Sequence, residues 1–156
     1  MLSCFGLSPK ILAVVPAPDG GYPGNNTAEG TNALFSLTSG IDNTALGFEA
    51  LFRNTTGNLN TAEGFGALFN NTSGTQNTAT GVNALLSNTT GSFNTANGVN
   101  TLFRNTTGFQ NAASGVQALF SNTTGNHNTA DGDNALVHDT IGSLNTAIGA
   151  HAEDQC

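Results

Sequence analysis

A pattern of apolar and polar positions recurs every seventeen residues along most of the chain. Each unit starts with Asn-Thr-Ala-x-Gly, continues through an Ala-Leu-Phe-like triplet and closes on a turn-like Asn-Thr-Thr-Gly segment. Positions within a unit are numbered here from its first asparagine. A short, fixed period predicts a stack of rungs, each of which can bury its apolar face only against its neighbours. The eight units begin at Asn26, Asn43, Asn60, Asn77, Asn94, Asn111, Asn128 and Asn145.

Small residues alternate with variable ones at the start of each unit, which is the period-two pattern of a strand with one buried face. Position 3 is Ala and position 5 is Gly in every unit, whereas position 4 varies and is mostly polar. Position 9 is Leu in all units but the last. These columns predict a narrow interior for the coil. Its members include Ala28, Ala45, Ala62, Ala79 and Ala96 at position 3, and Leu51, Leu68, Leu85, Leu102 and Leu119 at position 9.

The turn-forming residues favour strands over helices. Asn and Gly suit tight turns, and the sustained 3.6-residue periodicity of an amphipathic helix is missing. Each unit therefore predicts two short strands joined by turns. The expected fold class is all-β, a parallel β-roll or β-solenoid of eight seventeen-residue rungs. With rungs roughly 4.8 Å apart, the rod would be on the order of 40 Å long.

Position 10 carries a column of large apolar side chains. Neighbouring residues in a strand point to opposite faces, so if position 9 faces inward, positions 8 and 10 face outward. An apolar surface of this size is larger than a monomer normally exposes. We therefore expect the columns at positions 8 and 10 to meet other copies of the chain in a homo-oligomer of parallel rods. The predicted interface residues are Phe35, Phe52, Phe69, Leu86, Phe103, Phe120 and Val137.

The flanking segments differ from the repeat. Residues 1–17 resemble a shortened secretion signal, although Pro9 and Lys10 interrupt the stretch, and it is too short to span a bilayer as a helix. Cys4 and Cys156 lie near opposite ends, which favours a cross-chain disulfide or two free thiols over an internal bridge. The predicted organisation is a signal-like leader and Pro/Gly-rich cap or linker at 1–25, a β-roll domain at 26–149 and a tail at 150–156.

The charge content excludes several partner classes. Only 8% of the residues are charged, and the net charge of -7 reflects three basic residues among ten acidic ones. A nucleic-acid surface needs a basic track, and so does a surface that binds anionic membranes. Neither is present, so no nucleic acid is expected as a partner and no membrane insertion by this segment. Regularly placed apolar residues also argue against a disordered chain.

Catalytic and metal-binding patterns are missing from the sequence. There is no Gly-x-Ser-x-Gly elbow and no Walker loop. His127, His138 and His151 fall at positions 17, 11 and 7, so stacking does not align them. Asp131 and Asp133 do not recur in matching turns, as a stacked calcium site would require. We expect a protein that is not an enzyme and has no cofactor.

Two further readings concern the polar columns. Position 2 is Thr in every unit except at Ala112, which raises ice binding, but position 4 is too irregular to supply a second threonine column. Several asparagines fit the Asn-x-Ser/Thr acceptor pattern for glycosylation. Turn chemistry explains these residues without glycosylation, and stacked asparagines can instead share amide hydrogen bonds from rung to rung. They are Asn25, Asn54, Asn70, Asn71, Asn88, Asn105 and Asn122.

The Asn-Thr-Ala-Ile-Gly segment at 145–149, with its seven looser copies, resembles the head repeats of trimeric autotransporter adhesins of the YadA-like type. Related repeats occur in bacterial surface proteins and phage-type fibres. The resemblance covers 26–152 and implies a left-handed roll, three chains side by side, and adhesion at a bacterial surface to an unidentified host or matrix ligand. The unit is longer than the usual head repeat, and most copies have a polar residue in place of Ile148.

The resemblance leads to one expected function and two alternatives. No stalk or membrane anchor follows the repeats, so the chain is expected to be an isolated head or a piece of a longer fibre. The expected function is a non-enzymatic, extracellular adhesin head. The alternatives are a phage-type or other structural fibre segment and an ice-binding solenoid.

Overall fold

The structure is a computed structural model that describes residues 23–152. The leader at 1–22, with Cys4, and the end of the tail at 153–156, with Cys156, lie outside the described residues. Within the described range each unit contributes one three-residue strand, formed by positions 2 to 4. The strands are β1 (Thr27–Glu29), β2 (Thr44–Leu46), β3 (Thr61–Glu63), β4 (Thr78–Thr80), β5 (Thr95–Asn97), β6 (Ala112–Ser114), β7 (Thr129–Asp131) and β8 (Thr146–Ile148).

The eight strands form a single parallel sheet in chain order. The register is one repeat: Ala28 pairs with Ala45, and Ala45 pairs with Ala62. Consecutive strands are neighbours in the sheet and are joined by connections of fourteen residues. A parallel sheet of this kind forms when the chain coils and each unit adds one rung. The prediction of an all-β parallel β-solenoid with a seventeen-residue repeat is confirmed, and no helix occurs in residues 23–152.

The second strand predicted in each unit is not formed. The leucines at position 9, from Leu34 to Leu136, have φ between 50° and 53°, in the left-handed region that an extended strand does not use. The segment still bonds from rung to rung, since Leu51 N donates to Ala67 O at 3.0 Å and Arg53 N to Phe69 O at 3.0 Å. The turn of the backbone at leucine breaks the alternation of faces on which the second strand was predicted.

That turn also corrects the expected orientation of position 8. The alanines there were expected to face another chain, but Ala50, Ala67 and Ala84 are fully buried within their own coil. Positions 8 and 9 therefore both point inward. A left-handed leucine costs about 1–2 kcal/mol, and burial of its side chain offsets a cost of that size.

The interior of the coil is narrow and apolar on one side. It is built from the alanines at positions 3 and 8 and the leucines at position 9. Thr101 takes the place of alanine in the fifth unit, where its hydroxyl donates to Gly115 O at 2.5 Å. The residues expected in the interior lie there: Ala28, Ala45, Ala62, Ala79 and Ala96 are at most 3% exposed, and Leu51, Leu68, Leu85, Leu102 and Leu119 are 0% exposed.

Two buried asparagine columns fill the other side of the interior. At position 1, Asn43 Nδ2 donates to Asn26 Oδ1 at 2.9 Å and to Gly57 O at 2.8 Å. At position 12, Asn54 Nδ2 donates to the same Gly57 O at 3.0 Å, and Asn71 Nδ2 donates to Asn54 Oδ1 at 2.8 Å. The position 15 carbonyl is thus the acceptor shared by both columns. This arrangement satisfies polar groups that would be costly to bury unpaired.

The position 12 column ends where the sequence stops supplying asparagine. Asn122 Oδ1 is buried without a hydrogen-bond partner because the next rung has Asp139 at that position, and its carboxylate has no hydrogen to donate. Asp139 instead accepts from Gly142 N at 2.7 Å and from Asn145 Nδ2 at 3.0 Å. One substitution therefore terminates the ladder and caps the last described turn.

Candidate interaction surface

The phenylalanines at position 10 form stacked columns along the outside of the rod. Phe35, Phe52 and Phe69 stack in series, with ring centroids 5.2 and 5.1 Å apart and interplanar angles of 5° and 4°. Phe103 and Phe120 form a second stack at 5.1 Å. Leu86 separates the two stacks. The stacking follows directly from the register, because identical side chains recur at one position of successive rungs.

An arginine side chain lies over one phenylalanine ring of each stack. Arg53 Cζ lies 5.5 Å from the centroid of the Phe69 ring, and Arg104 Cζ lies 5.3 Å from that of Phe120. Both distances are within the range of a cation–π contact. Arginine at position 11 thus lies over the phenylalanine one rung further on. The two contacts place positive charge beside the apolar column at two levels of the rod.

The predicted interface residues are neither buried nor fully open. Phe35, on the first rung, is 63% exposed. The other six are half-buried, because each side chain is partly covered by its neighbours in the column: Phe52, Phe69, Leu86, Phe103, Phe120 and Val137. What remains accessible is a continuous apolar strip along the rod.

The orientation of the rings restricts what can bind to them. Phe52 lies between the near-parallel rings of Phe35 and Phe69, so both of its faces are covered by neighbouring rings. Stacking on an aromatic face is how sugar rings and nucleobases are commonly held. Phe52 is unsuited to that mode, because neither of its faces is free. It can contribute apolar contact area to a partner whose side chains pack against ring edges.

A second apolar column lies at position 6, which the sequence analysis did not identify. Phe48 and Phe65 stack at 5.1 Å. Unlike position 10, every member is exposed, from 41% for Val99 to 53% for Phe65. The signal was present in the sequence, since five successive units have Phe or Val there. The members are Phe48, Phe65, Val82, Val99 and Val116.

Position 7 separates the two apolar columns. It directly follows position 6 along the chain, and a methyl group added at Gly66 would lie 3.6 Å from Leu86 Cδ1 at position 10 of the next rung. Asn83 and Asn100 occupy position 7 in the following units and share a side-chain hydrogen bond of 3.4 Å. The rod therefore presents two apolar strips that flank one polar strip.

Charge is divided between the two sides of this arrangement. Within residues 23–152 both basic side chains, Arg53 and Arg104, are at position 11 beside the stacked phenylalanines. Most acidic side chains of the same range are at positions 4 and 6, on the side of the other apolar column, and Glu49 is at position 7 between the two columns. Those at positions 4 and 6 are Glu29, Glu63, Asp131 and Asp133.

The polar residues considered as sites remain dispersed. The histidines occupy three different columns, and His127 packs edge-on against Phe109 with centroids 5.1 Å apart. No group of three or more His, Cys, Asp or Glu in the described part of the chain could hold a metal ion. The threonines of position 2 line the outer face of the sheet, but position 4 beside them alternates between residues such as Glu63 and Thr80.

The fold buries the acceptor asparagine in most of the glycosylation patterns. Asn25 is exposed and Asn70 is half-buried. The remaining asparagines of this set are 0% exposed, with their amides engaged in the position 12 ladder, so an oligosaccharide transferase could reach them only before folding. They are Asn54, Asn71, Asn88, Asn105 and Asn122.

Comparison with known proteins neither confirms nor contradicts the resemblance to YadA-like head repeats. A scan of the chain against protein-family models, a search of curated proteins and a search of solved structures each find no match. Across residues 23–152 the structure contains no helix with the length and apolar character needed to cross a membrane.

Proposed function

We propose that this protein is a non-enzymatic, extracellular rod that works as an adhesin head or fibre module at a bacterial surface. The observation that carries the proposal is the apolar strip at position 10, which runs the length of a regular β-solenoid without any other part of the described chain covering it. A strip of this kind is suited to contact between long parallel partners.

The rod acts as a homo-oligomer, with three left-handed rolls side by side. Trimer number and handedness are supported by the resemblance to YadA-like head repeats. The requirement for a partner is supported independently by the half-buried column that includes Phe52, Phe69 and Phe103. Assembly of several rods stiffens the module and presents several copies of each exposed column to a ligand, which raises avidity.

The adhesive surface consists of the exposed columns that vary between units. Position 4 changes from Glu29 to Leu46 and Ile148 along the rod, whereas the positions that hold the coil together stay constant. Variable chemistry on a constant scaffold is the usual arrangement for recognition. A structural fibre segment is the second candidate function, supported by the same regular stacking.

The first test is assembly. Replacing Phe52, Phe69 and Phe103 together with Ser should convert the trimer into monomers, because it removes three large apolar groups from the strip. Analytical ultracentrifugation of wild type and variant measures this. A wild-type chain that sediments as a stable monomer would contradict the proposal.

Two matched variants control for loss of folding. Changing the same three phenylalanines to Leu, the residue naturally present at Leu86, should leave the trimer intact. Changing the exposed Leu59 and Phe93 at position 17 to Ser should do so as well, because they lie outside the strip. Beads coated with wild type should then adhere to cultured host-cell layers more strongly than beads coated with the dissociated variant. Equal background adhesion would favour a structural fibre.

A further inference from the structure

We propose that the turn of the seventh unit binds a calcium ion, held by Asn122 Oδ1, the Asp139 carboxylate and Gly142 O. These groups lie where the position 12 ladder ends. The site uses a single acidic side chain together with amide and carbonyl oxygens, so it is of a different kind from a cluster of His, Cys, Asp or Glu. It concerns the inside of one coil and does not rest on the proposed function.

In the ladder, one amide nitrogen supplies hydrogens to two acceptors on each rung. The Nδ2 group of Asn105 donates to Asn88 Oδ1, one rung back, at 2.8 Å and to Gly108 O at 3.0 Å. Asn71, Asn88 and Asn122 repeat this pattern at distances of 2.8 to 3.2 Å. Both hydrogens of each side-chain amide are therefore used inside the coil.

Asp139 removes this donor from two acceptors at once. Asn122 Oδ1 is left without a partner. Gly142 O still accepts from Asn128 Nδ2 at 2.7 Å, but it does not receive the second bond that Gly125 O accepts from the position 12 amide of its own unit. The aspartate also adds a negative charge at this point. Two acceptors that have lost a donor and one carboxylate thus meet in one turn.

The unpartnered oxygen of Asn122 is aimed at Asp139. A β-carbon built on Gly125 would overlap Asn122 Oδ1, just as one built on Gly108 would overlap Asn105 Oδ1. Asn122 therefore keeps the orientation of the other ladder members, in which Oδ1 faces position 12 of the next rung. Since its residue is 0% exposed, this oxygen needs a partner within the turn.

The three kinds of oxygen select a hard cation. Ca²⁺ takes carboxylate, amide and backbone carbonyl oxygens in flexible geometry and completes its shell with water, whereas Mg²⁺ demands a near-ideal octahedron. Asp139 is half-buried and the next two residues are exposed, so water can reach the site. The seventh and eighth units contain no Lys or Arg to oppose an ion. A water molecule would supply two hydrogens but would leave the carboxylate charge unbalanced.

Thermal unfolding of the full chain with and without calcium tests the site. Chelator-treated wild type should gain about 3–5 °C in Tm when calcium chloride is added to roughly ten times its Kd. Asp139→Asn restores the amide that the ladder lacks, so calcium should shift its Tm by less than about 1 °C. Sodium chloride at equal ionic strength should not reproduce the wild-type shift.

Asp133→Asn is the matched control. It removes the same charge from the same unit at an exposed position and leaves the ladder unchanged, so the calcium shift should be retained in full. A shift that persists in Asp139→Asn, or that is lost in Asp133→Asn, would place the ion elsewhere and overturn the proposal. A wild type whose Tm does not respond to calcium would overturn it as well and would favour water as the partner of Asn122.

Calorimetric titration of the wild-type chain with calcium chloride is a second measurement that depends on no variant. One ion should bind per chain with a Kd of about 10⁻⁴–10⁻³ M, because only one ligand is charged. Absence of binding, or equally tight binding of magnesium chloride, would contradict the calcium site. None of these results bears on assembly or adhesion, so this inference and the proposed function can fail separately.

Discussion

Asparagine holds the polar half of the interior because its amide offers donors and acceptors that match this rung spacing. Asn43 Oδ1 accepts from the backbone N and from Nδ2 of Asn60, at 3.0 and 3.1 Å. The side-chain amide of Asn43 also donates a hydrogen bond from Nδ2 to Gly57 O, at 2.8 Å. The sequence allowed the prediction that stacked asparagines share amide bonds. It could not show that both columns meet at the carbonyl of position 15, because that depends on how the coil closes.

Asn88 tests the ladder. Its Nδ2 donates to Asn71 Oδ1 at 2.8 Å and to Gly91 O at 2.9 Å. Asn88→Asp removes both donors and faces a buried carboxylate with two acceptors, so the free energy of unfolding should fall by about 3 kcal/mol or more. Urea unfolding followed by circular dichroism measures the change.

The matched control is Asn97→Asp, on the exposed face of β5. It introduces the same charge without touching the ladder, and the free energy of unfolding should change by less than about 0.5 kcal/mol. Similar losses from both substitutions would show that added charge, and not the lost amide donors, is responsible.

The turns are the part of the fold that the sequence predicted least well. Alternation of faces predicts strand geometry correctly at positions 2 to 4, where small and polar residues alternate. It fails at positions 7 to 9, because Asn83 and Leu85 have φ of 57° and 53° and the chain turns between them. Leucine seldom adopts this conformation. Nothing in the local sequence signals it, since the burial that stabilises it comes from neighbouring rungs.

Two glycines with different surroundings test the turns. Gly66 has φ of 65° at position 7, where four of the other units have asparagine, so Gly66→Asn should keep the free energy of unfolding or raise it by up to about 0.5 kcal/mol. Gly74 is buried at position 15, and a β-carbon there would overlap Gly91 O and Asn71 Oδ1. Gly74→Ala should therefore cost about 2–3 kcal/mol.

Thermal and urea unfolding of the two variants beside wild type gives the comparison. The contrast between the sites is the informative quantity, because both substitutions add a side chain to a glycine of a turn. A Gly74→Ala protein as stable as Gly66→Asn would mean that the backbone at position 15 can shift outward without losing its shared hydrogen bonds.

At the scale of the whole molecule, the repeat was sufficient to predict the solenoid. A constant interval between identical small and apolar residues leaves few alternatives to stacking, and the strands pair with that same interval. The position 6 column was missed because its members change between Phe and Val, and because the first and seventh units have the polar residues Thr31 and Asp133 there. The arrangement of several chains cannot be read from one chain's periodicity, since it depends on which strips lie side by side around the coil.

Rung-to-rung hydrogen bonds such as Thr44 N to Asn60 O, at 2.8 Å, run along the rod and not around it. Tension between the two ends therefore loads the bonds of the outermost rung first, and the coil should peel one rung at a time. Each event would release a seventeen-residue unit, lengthening the chain by about 55 Å. Optical-tweezer extension of a single chain should show evenly spaced steps of this size, whereas one abrupt release of the whole rod would contradict it. The rod would then yield to load gradually, as an extensible tether.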